Sequence, residues 1–179
     1  MRYGMNRILI FLGVLAFCCS TSAFGFGLGE NKFEKEVTTE TGAVKLVREV
    51  QRGAYDVITT EELKNLIDSG MDILVIDTMP FAASYKKEHV PGAEQFFFPI
   101  PEMEAWDTQE TDGKTQEEFT AVLGPDKDKT IVIYCGFVKC TRSHNSAMWA
   151  KKLGYNNVLR YPGGIFAWKG AGYTTEKAE

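Results

Sequence analysis

Two uninterrupted apolar runs, Ile73-Leu74-Val75-Ile76 and Thr130-Ile131-Val132-Ile133-Tyr134, do most to limit what this chain can fold into. Neither alternates with polar residues, so each reads as a strand covered on both faces, the kind found in parallel sheets. Helix signals surround them. Thr59 and Glu62 form a capping-box pair, which predicts a helix to about Ser69, stopped by Gly70. Thr115 and Glu118 repeat the pattern and predict a helix to about Leu123, ended by Gly124-Pro125. Residues 143–153 read as a third helix, with Gly154 as its stop. Asp56-Val57-Ile58, Glu94–Phe98 and Val158–Tyr161 read as further strands. Short helices are expected around Phe81–Lys87 and from Gly164 to Lys169. Strands separated by helices predict an α/β fold: a central, mostly parallel sheet flanked by helices in three layers.

Ligands of such sheets bind beyond the C-terminal ends of the strands. Asp77 and Cys135 both stand there. Cys135 is followed by the loop Gly136-Phe137-Val138-Lys139-Cys140-Thr141, then by Arg142 and a helix. A thiol at a strand tip is held rigidly. The loop's backbone N–H groups, the helix N-terminus and the Arg142 cation are expected to favour its thiolate and lower the Cys135 pKa. The same cradle suits an oxyanion or a terminal persulfide sulfur. Cys140 lies five positions on, and a curled loop brings such a pair within disulfide range, α-carbons about 4.4–6.8 Å apart. It is a candidate resolving cysteine. Asp77 and His144 are candidate supporting groups.

Several motifs occur together and in order: ITTEEL at the first helix start, LVIDT, EHVPGA at 88–93, IVIYC ending in Cys135, Arg142-Ser143 opening the next helix, and YPGGIFAWKGAGY at 161–173. In these the chain resembles the rhodanese-like family over roughly residues 55–173. The resemblance implies a sulfurtransferase in which the loop cysteine, here Cys135, carries sulfur as a persulfide from a donor to a nucleophilic acceptor. Arg142 matches the arginine closing the family's loop. The implied partners are a small sulfur donor (thiosulfate, polysulfide or a persulfide) and a thiol or other nucleophile, with no cofactor. Two departures stand out. Typical members place four residues between cysteine and arginine, and related phosphatases and arsenate reductases five. Here there are six, Gly136 to Thr141. The family's Asp-Val-Arg is Asp77-Thr78-Met79.

The longer loop and its second cysteine admit an alternative, thiol–disulfide cycling or handling of selenium, tellurium or arsenic oxyanions. A non-catalytic binding module and, less favoured, a phosphatase are the others. His89 resembles a structural turn histidine and is assigned no catalysis. Two cysteines and one nearby histidine do not complete a tetrahedral metal site, so no metal is expected. Trp149, Phe166 and Trp168 read as core or groove packing, and Phe96-Phe97-Phe98 as a strand with some exposed edge.

The N-terminus carries Arg2 and Arg7, an apolar run from Ile8 to Cys19, and small residues to Ala23. This is a signal-peptide layout over 1–23, with an uncleaved anchor or a lipid on Cys18 as alternatives. The protein is thus expected to be exported, periplasmic in a diderm bacterium, and to touch a membrane only through such an anchor. Residues 24–54 are expected to form a flexible lead-in with a short helix over 43–52, and 55–175 the domain. Without residues 1–23 the net charge moves from −4 to −6, which argues against a nucleic-acid partner.

Overall fold

The computed structural model describes residues 31–179, and the expectations for the signal segment and for residues 24–30 lie outside them. Among the described residues five helices and five strands follow one another. They are α1 (Lys32–Gly53), β1 (Asp56–Val57), α2 (Thr60–Asp68), β2 (Ile73–Asp77), β3 (Glu94–Gln95), α3 (Gln116–Leu123), β4 (Thr130–Tyr134), α4 (Arg142–Lys152), β5 (Val158–Tyr161) and α5 (Gly164–Gly170). A π-helical turn at Phe81–Tyr85 and a 3₁₀ turn at Thr108–Thr111 interrupt the loops. The strands form one all-parallel sheet in the order β1-β5-β4-β2-β3.

The two apolar runs are the neighbouring central strands, paired from Ile73 with Thr130 to Asp77 with Tyr134. Their alternate residues feed two separate cores. Leu74, Ile76, Ile131 and Ile133 pack with Phe119 of α3, Ala147 and Trp149 of α4 and the aromatic pair Phe96 and Phe98. Val75, Val132 and Tyr134 pack with Leu63 of α2 and with Ile165 and Trp168 of α5. Full burial of each branched side chain contributes on the order of 2 kcal/mol, so both faces of the sheet are strongly held. Both expected capping boxes form, at Thr59 with Glu62 and at Thr115 with Glu118.

Three expectations change. Helix α1 begins at Lys32, so residues 32–42 are helical and not a flexible lead-in. Thr39 and Thr41 turn their hydroxyls back onto the carbonyls of Lys35 and Val37, at 2.9 and 2.8 Å, which hides the groups that would otherwise favour coil. Only Glu94 and Gln95 of the expected Glu94–Phe98 strand pair regularly with β2. The chain then stays alongside through Phe96 N–H to the Asp77 carbonyl, 3.0 Å. Phe166 is 64% exposed and lies against the ring of Phe137, whereas Trp149 and Trp168 are core residues as expected.

Candidate active site

Cys135 follows β4 directly, and its loop is fastened on both sides. On one side Thr78, just beyond β2, gives its N–H and its hydroxyl to the Tyr134 carbonyl, at 3.0 and 2.8 Å. On the other, the first turn of α5 gives the Ile165 and Phe166 N–H groups to the Cys135 and Gly136 carbonyls, both at 3.0 Å. Two neighbouring strand ends and a helix start therefore set the position of the thiol. Phe137–Lys139 form a solvent-facing turn, closed by the Cys140 N–H on the Phe137 carbonyl at 2.9 Å. Phe137–Lys139 face outward, and Cys140 remains next to the thiol.

The two sulfurs meet different partners. Cys135 Sγ is fully buried. It lies 3.4 Å from the Cys140 carbonyl and 3.1 Å from Ser143 Oγ, and the Ser143 N–H also reaches it. Cys140 is 8% exposed and is in side-chain contact with Cys135. The backbone N–H groups of Arg142 and Gly136 donate to its sulfur. Thr141, at the N-cap of α4, makes no side-chain cap, because its hydroxyl accepts from Lys45 Nζ at 3.0 Å. Cys140 sulfur takes over the orphan donor at that helix end.

These contacts reverse the expected electrostatics of the pair. The hydrogen bond from Cys135 comes first, then the two N–H groups and the Arg142 charge, and together they outweigh burial and draw the Cys140 thiol down to about 6. Burial, with the neighbouring Cys140 sulfur, pushes Cys135 well above the ordinary thiol range. The expectation that the loop and helix would lower the Cys135 pKa is therefore corrected. Ser143 donates to Cys135 as well, but burial and the Cys140 sulfur outweigh its two hydrogen bonds.

A buried cation lies under the loop. Arg160 of β5 gives Nε–H to Ser143 Oγ at 2.9 Å and a terminal N–H to the Cys140 carbonyl at 2.8 Å. Its other nitrogen binds Glu49 of α1 at 2.6 Å and the Tyr55 hydroxyl at 3.1 Å. Since Ser143 Oγ accepts from Arg160, its own hydrogen is free for Cys135 sulfur. By the same reasoning the Tyr55 hydroxyl donates to His144 Nδ1, 2.8 Å away. That leaves the proton of a neutral imidazole on Nε2, facing Glu102 at 3.5 Å. Burial holds the His144 pKa below its usual value, consistent with that neutral form.

A family profile, described as the rhodanese-like domain, matches residues 59–171. The chain belongs to the rhodanese-like family. Comparison with curated proteins gave no match. Among solved structures, a thiosulfate sulfurtransferase from Pseudomonas aeruginosa is similar over 77% of this chain, at 22% identity and a TM-score of 0.56. The match spans only 23% of that larger chain. A Bacillus halodurans protein matches over 75% of this chain and 86% of its own, at 21% identity and a TM-score of 0.53. A Rhodopseudomonas palustris protein of unknown function, a possible tyrosine phosphatase, matches over 75% and 93%, at 23% identity and 0.51. At these identities the structures show the shared fold alone.

Within this rhodanese-like domain the remaining candidates separate. Arg142 touches neither sulfur with its guanidinium, which donates to the Phe98 carbonyl and lies over the Phe97 ring, 4.7 Å from its centroid. It pins the loop to the segment after β3 and contributes charge to Cys140. His144 is buried with Tyr55 and Glu102, away from the cradle. His89 stacks on Tyr85 and exchanges backbone hydrogen bonds with Glu176, so it tethers the C-terminal segment. Phe137, Val138 and Lys139 are exposed beside the site. A cleft of about 630 Å³ opens between α1 and Glu102, with Thr141 and Lys45 in its wall, and neither sulfur lines it. Among the described residues no three His, Cys, Asp or Glu side chains gather to hold a metal. Sequence reading missed Glu49, Tyr55, Ser143 and Arg160. The one available signal was a charged residue inside an otherwise apolar strand, Val158–Tyr161, which demands a buried partner.

Asp77 supports the strand ends, not the cradle. It accepts from the Tyr134 hydroxyl at 2.8 Å and from the Met79 N–H at 2.8 Å. Burial pushes it up to about 6 from an ordinary 3.8, against the pull of those two hydrogen bonds. A carboxyl raised in the folded state favours folding below its unfolded value, and that contribution fades as pH rises through about 6. Asp77→Asn is expected to remove this slope. Relative to the parent it should gain about 2 kcal/mol between pH 4 and pH 8, read from urea unfolding at both pH values. Parallel pH profiles for the two proteins would refute the assignment.

Proposed function

We propose that this protein is an exported sulfurtransferase that takes sulfane sulfur from a small donor, holds it as a persulfide on the Cys135–Cys140 loop, and passes it to a thiol or similar nucleophile. One observation carries the reading. Two free thiols touch at the C-terminal end of β4, where backbone N–H groups, a helix N-terminus and Arg142 converge on a sulfur. That setting stabilises a thiolate before attack and the terminal anionic sulfur of a persulfide after it. Membership in a family that includes sulfur carriers supports the same chemistry. The N-terminal pattern of Arg2, Arg7, an apolar run and small residues supports export.

The test is intact mass of the reduced protein after thiosulfate or polysulfide. A gain of about 32 Da, one sulfur atom, is expected, and it should vanish when both Cys135 and Cys140 are replaced by serine. The contact between the thiols also favours dithiol cycling as a second reading. A loss of about 2 Da without sulfur gain would select it. No mass change with any donor would leave a binding module.

A further inference from the structure

The position of Cys135 at the strand tip points to it as the attacking residue, but the atoms around the two sulfurs point elsewhere. Cys135 is sealed, and although Ser143 donates to its sulfur, the Cys140 carbonyl oxygen stands 3.4 Å away, a partial negative charge that opposes a thiolate there. The Cys140 carbonyl is itself held in place by Arg160 at 2.8 Å. Cys140 shows the opposite environment. Its sulfur is met by N–H donors from Gly136 and Arg142, sits at the start of an eleven-residue helix, and keeps a small exposed area. The exposed turn Phe137–Lys139 leads directly into Cys140.

We propose that Cys140 is the thiolate that attacks the sulfur donor, and that Cys135 is a positioning residue that keeps its proton and hydrogen-bonds the Cys140 sulfur. This rests on the sulfurtransferase reading above and assigns its nucleophile. With thiosulfate, Cys140 Sγ forms a bond to the sulfane sulfur while the donor's S–S bond breaks, and its electron pair leaves on sulfite. The product, Cys140 persulfide, carries one negative charge on its terminal sulfur. An acceptor thiolate then attacks that terminal sulfur, becomes a persulfide, and returns Cys140 as thiolate. No oxidant or reductant is consumed, and Cys135 gives up no electrons.

Trypsin separates the two residues, because Lys139 lies between them: Cys135 falls in the peptide 130–139 and Cys140 in 140–142. The wild-type protein, reduced and folded, is treated briefly with iodoacetamide at pH 6.5 and quenched. Cys140 is expected to label at least tenfold faster than Cys135. Faster labelling of the 130–139 peptide would overturn the assignment, whether or not the protein accepts sulfur. A second arm adds thiosulfate or polysulfide and traps the first sulfur before digestion. It is expected on the 140–142 peptide, and its first appearance on 130–139 would overturn the proposal. Cys140→Ser should lose loading more than 100-fold, whereas Cys135→Ser, which keeps a hydroxyl donor, should stay within about tenfold. Absence of any loading with every donor would refute the sulfurtransferase reading and leave the labelling order to decide the nucleophile.

Discussion

Gly164→Ala is expected to lower stability by about 3 kcal/mol or more and to reduce sulfur loading at least tenfold. Gly164 has φ of +60°, a conformation that costs a residue with a Cβ about 1–2 kcal/mol. An added Cβ would also stand 2.2 Å from the Cys135 carbonyl oxygen and 2.7 Å from the carbonyl carbon and oxygen of Gly136. Those are backbone atoms and cannot rotate aside. The clash falls where the Ile165 and Phe166 N–H groups hold the same two carbonyls, and each lost bond removes roughly 1 kcal/mol. Relief therefore requires the start of α5 and the cysteine loop to part. Gly170→Ala is the control, since its Cβ meets nothing within 4 Å and its backbone is ordinary helix. Urea unfolding and the mass assay on both variants check the result. Equal stability of the two would mean that the Pro162-Gly163-Gly164 turn does not clamp the loop.

That turn shows what was legible in advance. Its residues were recognisable, but their purpose was not, because the reason for glycine is an approach of α5 to a carbonyl 29 positions earlier in the chain. The central strands could be read because their apolar runs need two covered faces, and two covered faces are what β2 and β4 have. The two capping boxes could be read because they close within four residues. Cys135 and Asp77 at strand ends followed from the same local logic. The choice between the sulfurs did not, since it depends on where individual N–H groups of the loop point. The length of α1 was hidden by Thr38, Thr39, Thr41 and Gly42, whose weak helix preference is overridden by docking of its last turns. The anchor of that docking, Glu49 on Arg160, joins residues 111 positions apart and leaves no local trace.

Removal of either partner of that ion pair is expected to cost about 3–5 kcal/mol. Arg160 is fully buried and Glu49 is 2% exposed, so neither charge has water to fall back on. Burial alone would raise the Glu49 pKa, but hydrogen bonds from Lys45 and Arg160 hold it below the usual carboxylate value, so the pair is ionised. Glu49→Ala leaves a guanidinium unmatched under the loop. Arg160→Met removes the donors to Ser143 and to the Cys140 carbonyl as well, so it should also slow sulfur loading more than Glu49→Gln, which keeps an acceptor for Arg160. The double variant Glu49→Ala/Arg160→Met should lose less than the two single losses together, because no unpaired charge remains. Additive losses in urea unfolding would show that the two side chains act independently. Coupled losses would make α1, which lies before the matched region 59–171, a structural part of the sulfur site, since it supplies the counter-charge that lets a cation sit beneath the two thiols.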